Sequence, residues 1–169
     1  MIIVVMGVAG CGKSTIAKTL ARKLKIEFVD ADSFHSQENI AKMSSGVSLS
    51  DEDRYPWLES LRTAISQWIK EERSVALACS ALKAEYRRIL NVDAEKLLFV
   101  YLKGNQRLFA SRLARRKTHF MKENMLASQL ETLEEPSEEE AMICDAGQPV
   151  INIVRSIIAG SKAGKSPDK

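Results

Sequence analysis

Four residues near the start of the chain can do phosphate chemistry, by their types and by their spacing. Gly7, Gly12, Lys13 and Ser14 lie in the stretch Gly7-Val8-Ala9-Gly10-Cys11-Gly12-Lys13-Ser14, which fits G-x-x-x-x-G-K-[ST] in full. The glycines let backbone N–H groups turn inward around an anion, and a helix starting there adds its free amides and the positive end of its dipole. The Lys13 ammonium can then reach the β/γ-phosphates, and the Ser14 hydroxyl can ligate Mg²⁺. The flanks are those such a loop requires. The apolar, partly β-branched run 2–6 reads as a buried strand before it, and Ile16, Leu20 and Leu24, with Ala17 and Ala21, form a helical stripe after it. Strand, loop and helix together imply binding of a nucleoside triphosphate.

The rest of the chain supplies elements to position that loop. Residues 26–30 read as a short strand ending in the acidic segment Asp30-Ala31-Asp32, followed by a polar stretch with a short helix around 39–43. Pro56 suits the first turn of the next helix, where Trp57, Leu58, Leu61, Ala64, Ile65, Trp68 and Ile69 recur at 3.6-residue spacing; the two tryptophans read as core. Strands over 74–79 and 96–102 alternate with helices over about 83–90 and after an N-cap at Asn105. A charged segment from Arg115 to Pro136 carries only Met125, Leu126, Leu130 and Leu133 as apolar anchors, which suits a mobile lid over about 116–136. A strand near 141–144 and a helix near 150–159 close the domain. Strands alternating with helices predict a three-layer α/β/α fold around a central parallel sheet, with ligands bound beyond the carboxyl ends of the strands. That rim gathers the glycine-rich loop, Asp30, Asp32 and Ser80.

Bulk properties narrow the class. The 169 residues suit one domain, expected over 1–159. The tail 160–169 resembles a second phosphate loop at a glance but lacks its first glycine and its flanking elements, so it is expected to be a solvated, disordered end. The net charge of +3, and a basic cluster (Arg107 to Lys122) answered by an acidic one (Glu131 to Glu140), argue against nucleic acid as a partner. No apolar run approaches the roughly 20 residues that span a bilayer, so no membrane partner is expected. Three cysteines without paired spacing and a Met1 that leads straight into a strand fit a cytoplasmic setting.

Missing motifs exclude other phosphate-loop classes. No N-K-x-D exists to read guanine, and neither strand 74–79 nor 96–102 ends in Asp-Glu, as motor-type ATPases require. Phosphoryl transfer to a small hydroxylated acceptor needs a phosphate cradle, Mg²⁺, a group that positions the hydroxyl, and cations over the developing charge. All have candidates. At this point the chain resembles the gluconokinases, in the shikimate-kinase-like branch of small-molecule kinases, from Ile3 to about Val154. The segments carrying the resemblance are M-G-V-A-G-C-G-K-S-T at 6–15, D-A-D-S-F-H-S-Q-E-N-I-A-K-M at 30–43 and L-S-D-E-D-R-Y-P-W-L at 49–58. Others are A-C-S-A-L-K at 78–83, V-Y-L-K-G at 100–104, R-K-T-H-F at 116–120 and Q-L-E-T-L-E-E-P at 129–136. Thr118 stands where the family typically has glycine, and Leu130 where it often has phenylalanine.

The resemblance implies ATP-dependent, Mg²⁺-assisted phosphorylation of D-gluconate at its 6-hydroxyl, feeding gluconate catabolism, with a homodimer as the frequent assembly. It implies that Asp32 orients the acceptor hydroxyl, with proton removal as a second role, and that Asp30 acts on Mg²⁺ through water. Arg54 would grip the gluconate carboxylate; His35, Lys42, Ser80 and His119 would contact the acceptor. Arg112 and Arg116 form R-L-x-x-R, one near adenine and the other over the phosphates. Thr15, Gln148 and Pro149 complete the nucleotide side. Each has a plainer alternative: Asp30 and Asp32 as a cap or solvated turn, Arg54 as a surface partner of Asp51 or Asp53, His35 and Lys42 as exposed polar groups. A kinase of shikimate or of a nucleoside monophosphate, and a regulatory ATP-binding protein, are the competing functions. Asp32 and Arg54 disfavour the last, which needs neither a base nor a carboxylate clamp.

Overall fold

The computed structural model describes residues 1–115 and 120–163, with side chains for all of these except 120–124, 162 and 163. Five parallel strands form one sheet in the order β2-β3-β1-β4-β5. They are β1 (Ile2–Met6), β2 (Glu27–Asp30), β3 (Val75–Ala78), β4 (Leu97–Lys103) and β5 (Met142–Asp145). β1 lies at the centre, with Val4 registered against Leu77 on one side and Phe99 on the other. All five of its residues are buried, which is why it reads as a continuous apolar run rather than an alternating one.

Alternation still divides the core. Ile3 and Val5 face the layer holding α1 (Lys13–Leu24), α5 (Gln106–Ala114), α6 (Phe120–Thr132) and α7 (Val150–Ala163), where they join Ile16, Leu20, Phe109, Leu126 and Ile157. Ile2, Val4 and Met6 face α3 (Asp51–Lys70) and α4 (Ala84–Leu90), against Leu58, Leu61, Ile65 and Tyr86. The three-layer α/β/α architecture is therefore the one that the strand and helix alternation predicts.

Two boundaries differ from the sequence reading. Pro56 does not sit in the first turn of α3, which starts at Asp51 behind a Ser50 cap. Ser50 Oγ accepts from Asp53 N while Asp53 Oδ2 accepts from Ser50 N, a reciprocal capping box, and three acidic residues favour the dipole in that turn. These signals outweigh the proline, whose missing amide would face the carbonyl of exposed Glu52. α7 also continues past 159 through Gly160 to Ala163. Gly160 lies so close to Met142 that a Cβ there would stand 3.1 Å from its sulfur. The short helix expected around 39–43 is α2 (Gln37–Ser44), capped by the Ser36 side chain. No helix among the described residues is long and apolar enough to cross a membrane.

Candidate active site

The loop between β1 and α1 has the backbone that its glycines permit. Gly7, Gly10 and Gly12 take φ values of 140°, 80° and 104°, a region closed to most side chains. Gly10 has a second reason to be glycine: a Cβ there would come within 2.7 Å of the Phe109 carbonyl on α5. Gly12 is the N-cap of α1 and supplies no side-chain cap, so the first amides of that helix keep their hydrogen-bonding capacity for an anion. Lys13 folds back over the loop and donates to the Val8 carbonyl at 3.1 Å.

One cavity of about 230 Å³ opens beside this loop. It is lined by Ala9, Gly10, Lys13, Ser14, Asp30, Asp32, His35, Arg54 and Ser80, which brings most of the sequence-predicted acceptor and metal residues to one place. Ser14 Oγ donates to Asp30 Oδ2 at 3.2 Å, and Asp30 Oδ1 accepts from Asp32 N at 3.2 Å. Asp30 is thus a cap of the 3-10 turn Ala31–Phe34 and a partner of the phosphate loop at once. Asp32 is open to solvent, yet the protein around its carboxyl raises its pKa, Asp30 raises it further, and Lys13 opposes both. The result is a more basic carboxylate than an isolated aspartate.

His35 stacks on Trp57, with ring centroids 4.5 Å apart and planes 11° from parallel. Burial, helped by the Arg54 charge, pushes the imidazole pKa down to about 4, so it is neutral at physiological pH. Trp57, expected as core only, is buried but also walls the cavity, and its indole donates to the Ala31 carbonyl at 2.8 Å. Arg54 forms no ion pair among the described residues. The acids that might have claimed it are taken: Asp53 pairs with Lys42 at 2.6 Å, and Asp51 pairs with Lys83 at 2.6 Å and accepts from Tyr86 Oη. The Arg54 guanidinium lies over the Tyr86 ring at 5.7 Å. Lys42 does not line the cavity; its ammonium ties α2 to the capping box of α3. Cys79 also lines the cavity, where burial pushes its thiol up to about 12 and keeps it protonated.

A second groove of about 300 Å³ lies across the loop and shares Gly10 with the first. Gly12, Thr15, Arg112 and Gln148 line it. Arg112 donates to the carbonyls of Cys11 at 3.1 Å and Ala146 at 2.7 Å, joining the phosphate loop to the turn after β5. Gln148 is held by Asp145, while Pro149 does not line the groove and instead accepts through its carbonyl from Asn152 N and Ile153 N of α7. The loop therefore separates a groove with the Arg112 and Arg115 guanidiniums and a side-chain amide from a cavity with two carboxylates and the Arg54 guanidinium. Arg116 and His119 lie outside the described residues.

Among the described residues no group of three or more His, Cys, Asp and Glu is arranged to hold a metal. Ser14 and Asp30 instead form a two-oxygen support. Such a support fits Mg²⁺, which takes hard oxygen ligands, keeps several waters and draws the rest from phosphates. Cavity-lining residues to which the sequence reading gave no role include Ser48 before α3, and Ser128 and Gln129 on α6.

Known proteins resemble this chain along nearly its whole length. A family model described as shikimate kinase matches residues 9–159. The thermoresistant gluconokinase of Escherichia coli (strain K12) is 43% identical over 166 residues, covering 97% of this chain and 95% of that protein. The crystal structure of a gluconokinase from Sinorhizobium meliloti 1021 superposes with a TM-score of 0.83 at 41% identity, over 95% of this chain and 91% of the other. An unliganded sugar kinase from Janibacter sp. HTCC2649 gives 0.88 at 38% identity, over 98% of both chains. A shikimate kinase from Aquifex aeolicus, at 19% identity and a TM-score of 0.60 over 96% of this chain and 97% of that one, shares the fold. The chain belongs to the shikimate-kinase-like P-loop family, and within it to the gluconokinases.

Proposed function

We propose that this protein transfers the γ-phosphoryl group of ATP to the 6-hydroxyl of D-gluconate. The observation that carries the reading is the Arg54 guanidinium, without an ion-pair partner among the described residues, in the same cavity as Lys13, Ser14, Asp30 and Asp32. A sugar acid is the substrate class with a hydroxyl for one end of that cavity and a carboxylate for the other.

In this reading the loop amides and Lys13 hold the β/γ-phosphates, and Arg112 and Gln148 flank the rest of the nucleotide. Ser14 and Asp30 would hold Mg²⁺, which would supply positive charge to offset that of the phosphates. The acceptor hydroxyl oxygen forms a bond to the γ-phosphorus as the bond from that phosphorus to ADP breaks. The hydroxyl proton passes to the Asp32 carboxylate, whose raised basicity suits it. Transfer of this kind is loose, so holding the hydroxyl in line contributes more than early proton removal. Neutral His35 and the Ser80 hydroxyl bond acceptor hydroxyls, and Arg54 grips the carboxylate with two parallel N–H donors. The roles that the resemblance gives Arg116, over the phosphates, and His119, over the acceptor, complete the proposal.

Proton-coupled ³¹P NMR of the product from ATP and gluconate tests the reading. A phosphomonoester coupled to the two protons on C6 is the expected result. A phosphate on another carbon, or release of inorganic phosphate alone, would overturn it.

A further inference from the structure

Ala9 lies in the phosphate loop, and its amide already has a partner. Gln129 Oε1 accepts from Ala9 N at 2.6 Å, across 120 positions of sequence. Gln129 is partly buried on α6 and lines the cavity beside Lys13 and Ser14. The neighbouring Ser128 has its own contact, to Ser48 Oγ at 2.9 Å, so one turn of α6 is seated on both the phosphate loop and the acceptor segment. Among the described residues the Gln129 side chain has no partner but Ala9.

An amide carbonyl oxygen presents an N–H donor with the same chemistry as a phosphate oxygen: a partly negative acceptor with lone pairs directed at the proton. A single N–H serves one acceptor at full strength. We infer that Gln129 is a phosphate surrogate, a side chain that takes the Ala9 amide and must yield it to a nucleotide phosphate oxygen. Gln129 thereby opposes nucleotide binding and ties seating of α6 to occupation of the loop. This inference rests on the reading of the loop as a nucleotide site, and it concerns a residue 120 positions away from that loop.

Two variants of similar bulk separate the possibilities, with the full chain and calorimetric titration of the ATP analogue AMP-PNP in Mg²⁺. Gln129→Met keeps the length of the side chain and removes the acceptor. It should bind AMP-PNP about 2- to 10-fold more tightly, the scale of one hydrogen bond. It should also lower the melting temperature of the nucleotide-free protein. A residue with only a structural role would shift both in the same direction, so the opposite signs are the signature. Gln129→Glu places a carboxylate on the amide, where it bonds more strongly and repels phosphate, and should weaken AMP-PNP by about 10-fold or more. Unchanged or weaker binding by Gln129→Met, or wild-type affinity in Gln129→Glu, would overturn the inference while wild-type binding keeps the nucleotide site. No AMP-PNP binding by the wild type would overturn both.

Discussion

Ser14 and Asp30 meet across 3.2 Å although the strands before them are not neighbours in the sheet. Ser14 follows β1, Asp30 ends β2, and β3 lies between the two. The contact therefore spans the rim above β3, where Ser80 also lies, and it joins the glycine-rich loop to the acidic segment after β2 within one cavity. Parallel strands make this possible because all their carboxyl ends open on one edge.

That pair places the adjacent Asp32, and Asp32→Asn tests what its charge does. The substitution keeps size and hydrogen bonding, so the affinity for AMP-PNP should stay within about 2-fold, below the usual effect of a lost hydrogen bond. The kcat should fall by about 10²-fold or more, the scale of a positioned acid–base group. Steady-state kinetics with saturating ATP and gluconate checks this, and an unchanged kcat would remove Asp32 from the chemistry.

Lys13→Ala removes the point charge that the proposed reading sets on the β/γ-phosphates. Turnover should drop by at least ~10²-fold, the usual cost of one charged stabiliser. The melting temperature should hold, because the one hydrogen bond of the Lys13 ammonium among the described residues is to the Val8 carbonyl. Near-normal turnover would mean that the loop is not the catalytic nucleotide site.

Arg54 and Tyr86 should separate binding from positioning. If Arg54 grips the carboxylate as proposed, Arg54→Ala deletes an interaction worth about 1.5–3 kcal/mol and should raise the gluconate KM roughly 10- to 100-fold with a smaller change in kcat. Tyr86→Leu removes the ring beneath the guanidinium and the hydroxyl that bonds Asp51, and should raise the same KM severalfold. A gluconate KM unaffected by Arg54→Ala would contradict the clamp.

His35 should leave a mark on stability against pH. Its pKa falls from 6.5 in the unfolded chain to about 4 in the fold, because burial and Arg54 disfavour the imidazolium. Above pH 6.5 both states are neutral and the group contributes no pH dependence. As the pH drops from 6.5 towards 4 the unfolded chain takes up the proton first, so the folded state loses stability over that window. His35→Gln cannot take up that proton, so its melting temperature should fall less than the wild type's between pH 7 and pH 5. Equal falls in the two proteins would contradict the shift.

Much of this site was legible because its signals are local. Gly7 to Ser14 carry their spacing with them, and Asp30 and Asp32 stand at the end of a recognisable strand. Asn105 caps α5 as its side chain predicts, accepting from Leu108 N at 2.8 Å. The start of α3 was misread because Pro56 and the Ser50–Asp53 box both mark helix beginnings, and only the box makes reciprocal hydrogen bonds. Lys42 has the right type for a sugar contact, but α2 directs it to Asp53. Trp57 satisfies the apolar period of α3 and stacks on His35 as well, two roles that periodicity cannot separate. Gln129 opens the segment 129–136 that carries part of the resemblance, but nothing local gives its side chain a role, since its partner Ala9 is brought to it by the packing of α6 beside α5.

The substrate is the central claim, and a coupled ADP-release assay over gluconate, shikimate, glucose and AMP tests it most directly. Arg54 and the paired carboxylates predict a kcat/KM for gluconate that exceeds each of the others by roughly 10²-fold or more, the discrimination expected when a site built to pair a substrate group is left unpaired. A comparable kcat/KM for shikimate, glucose or AMP would contradict the assignment.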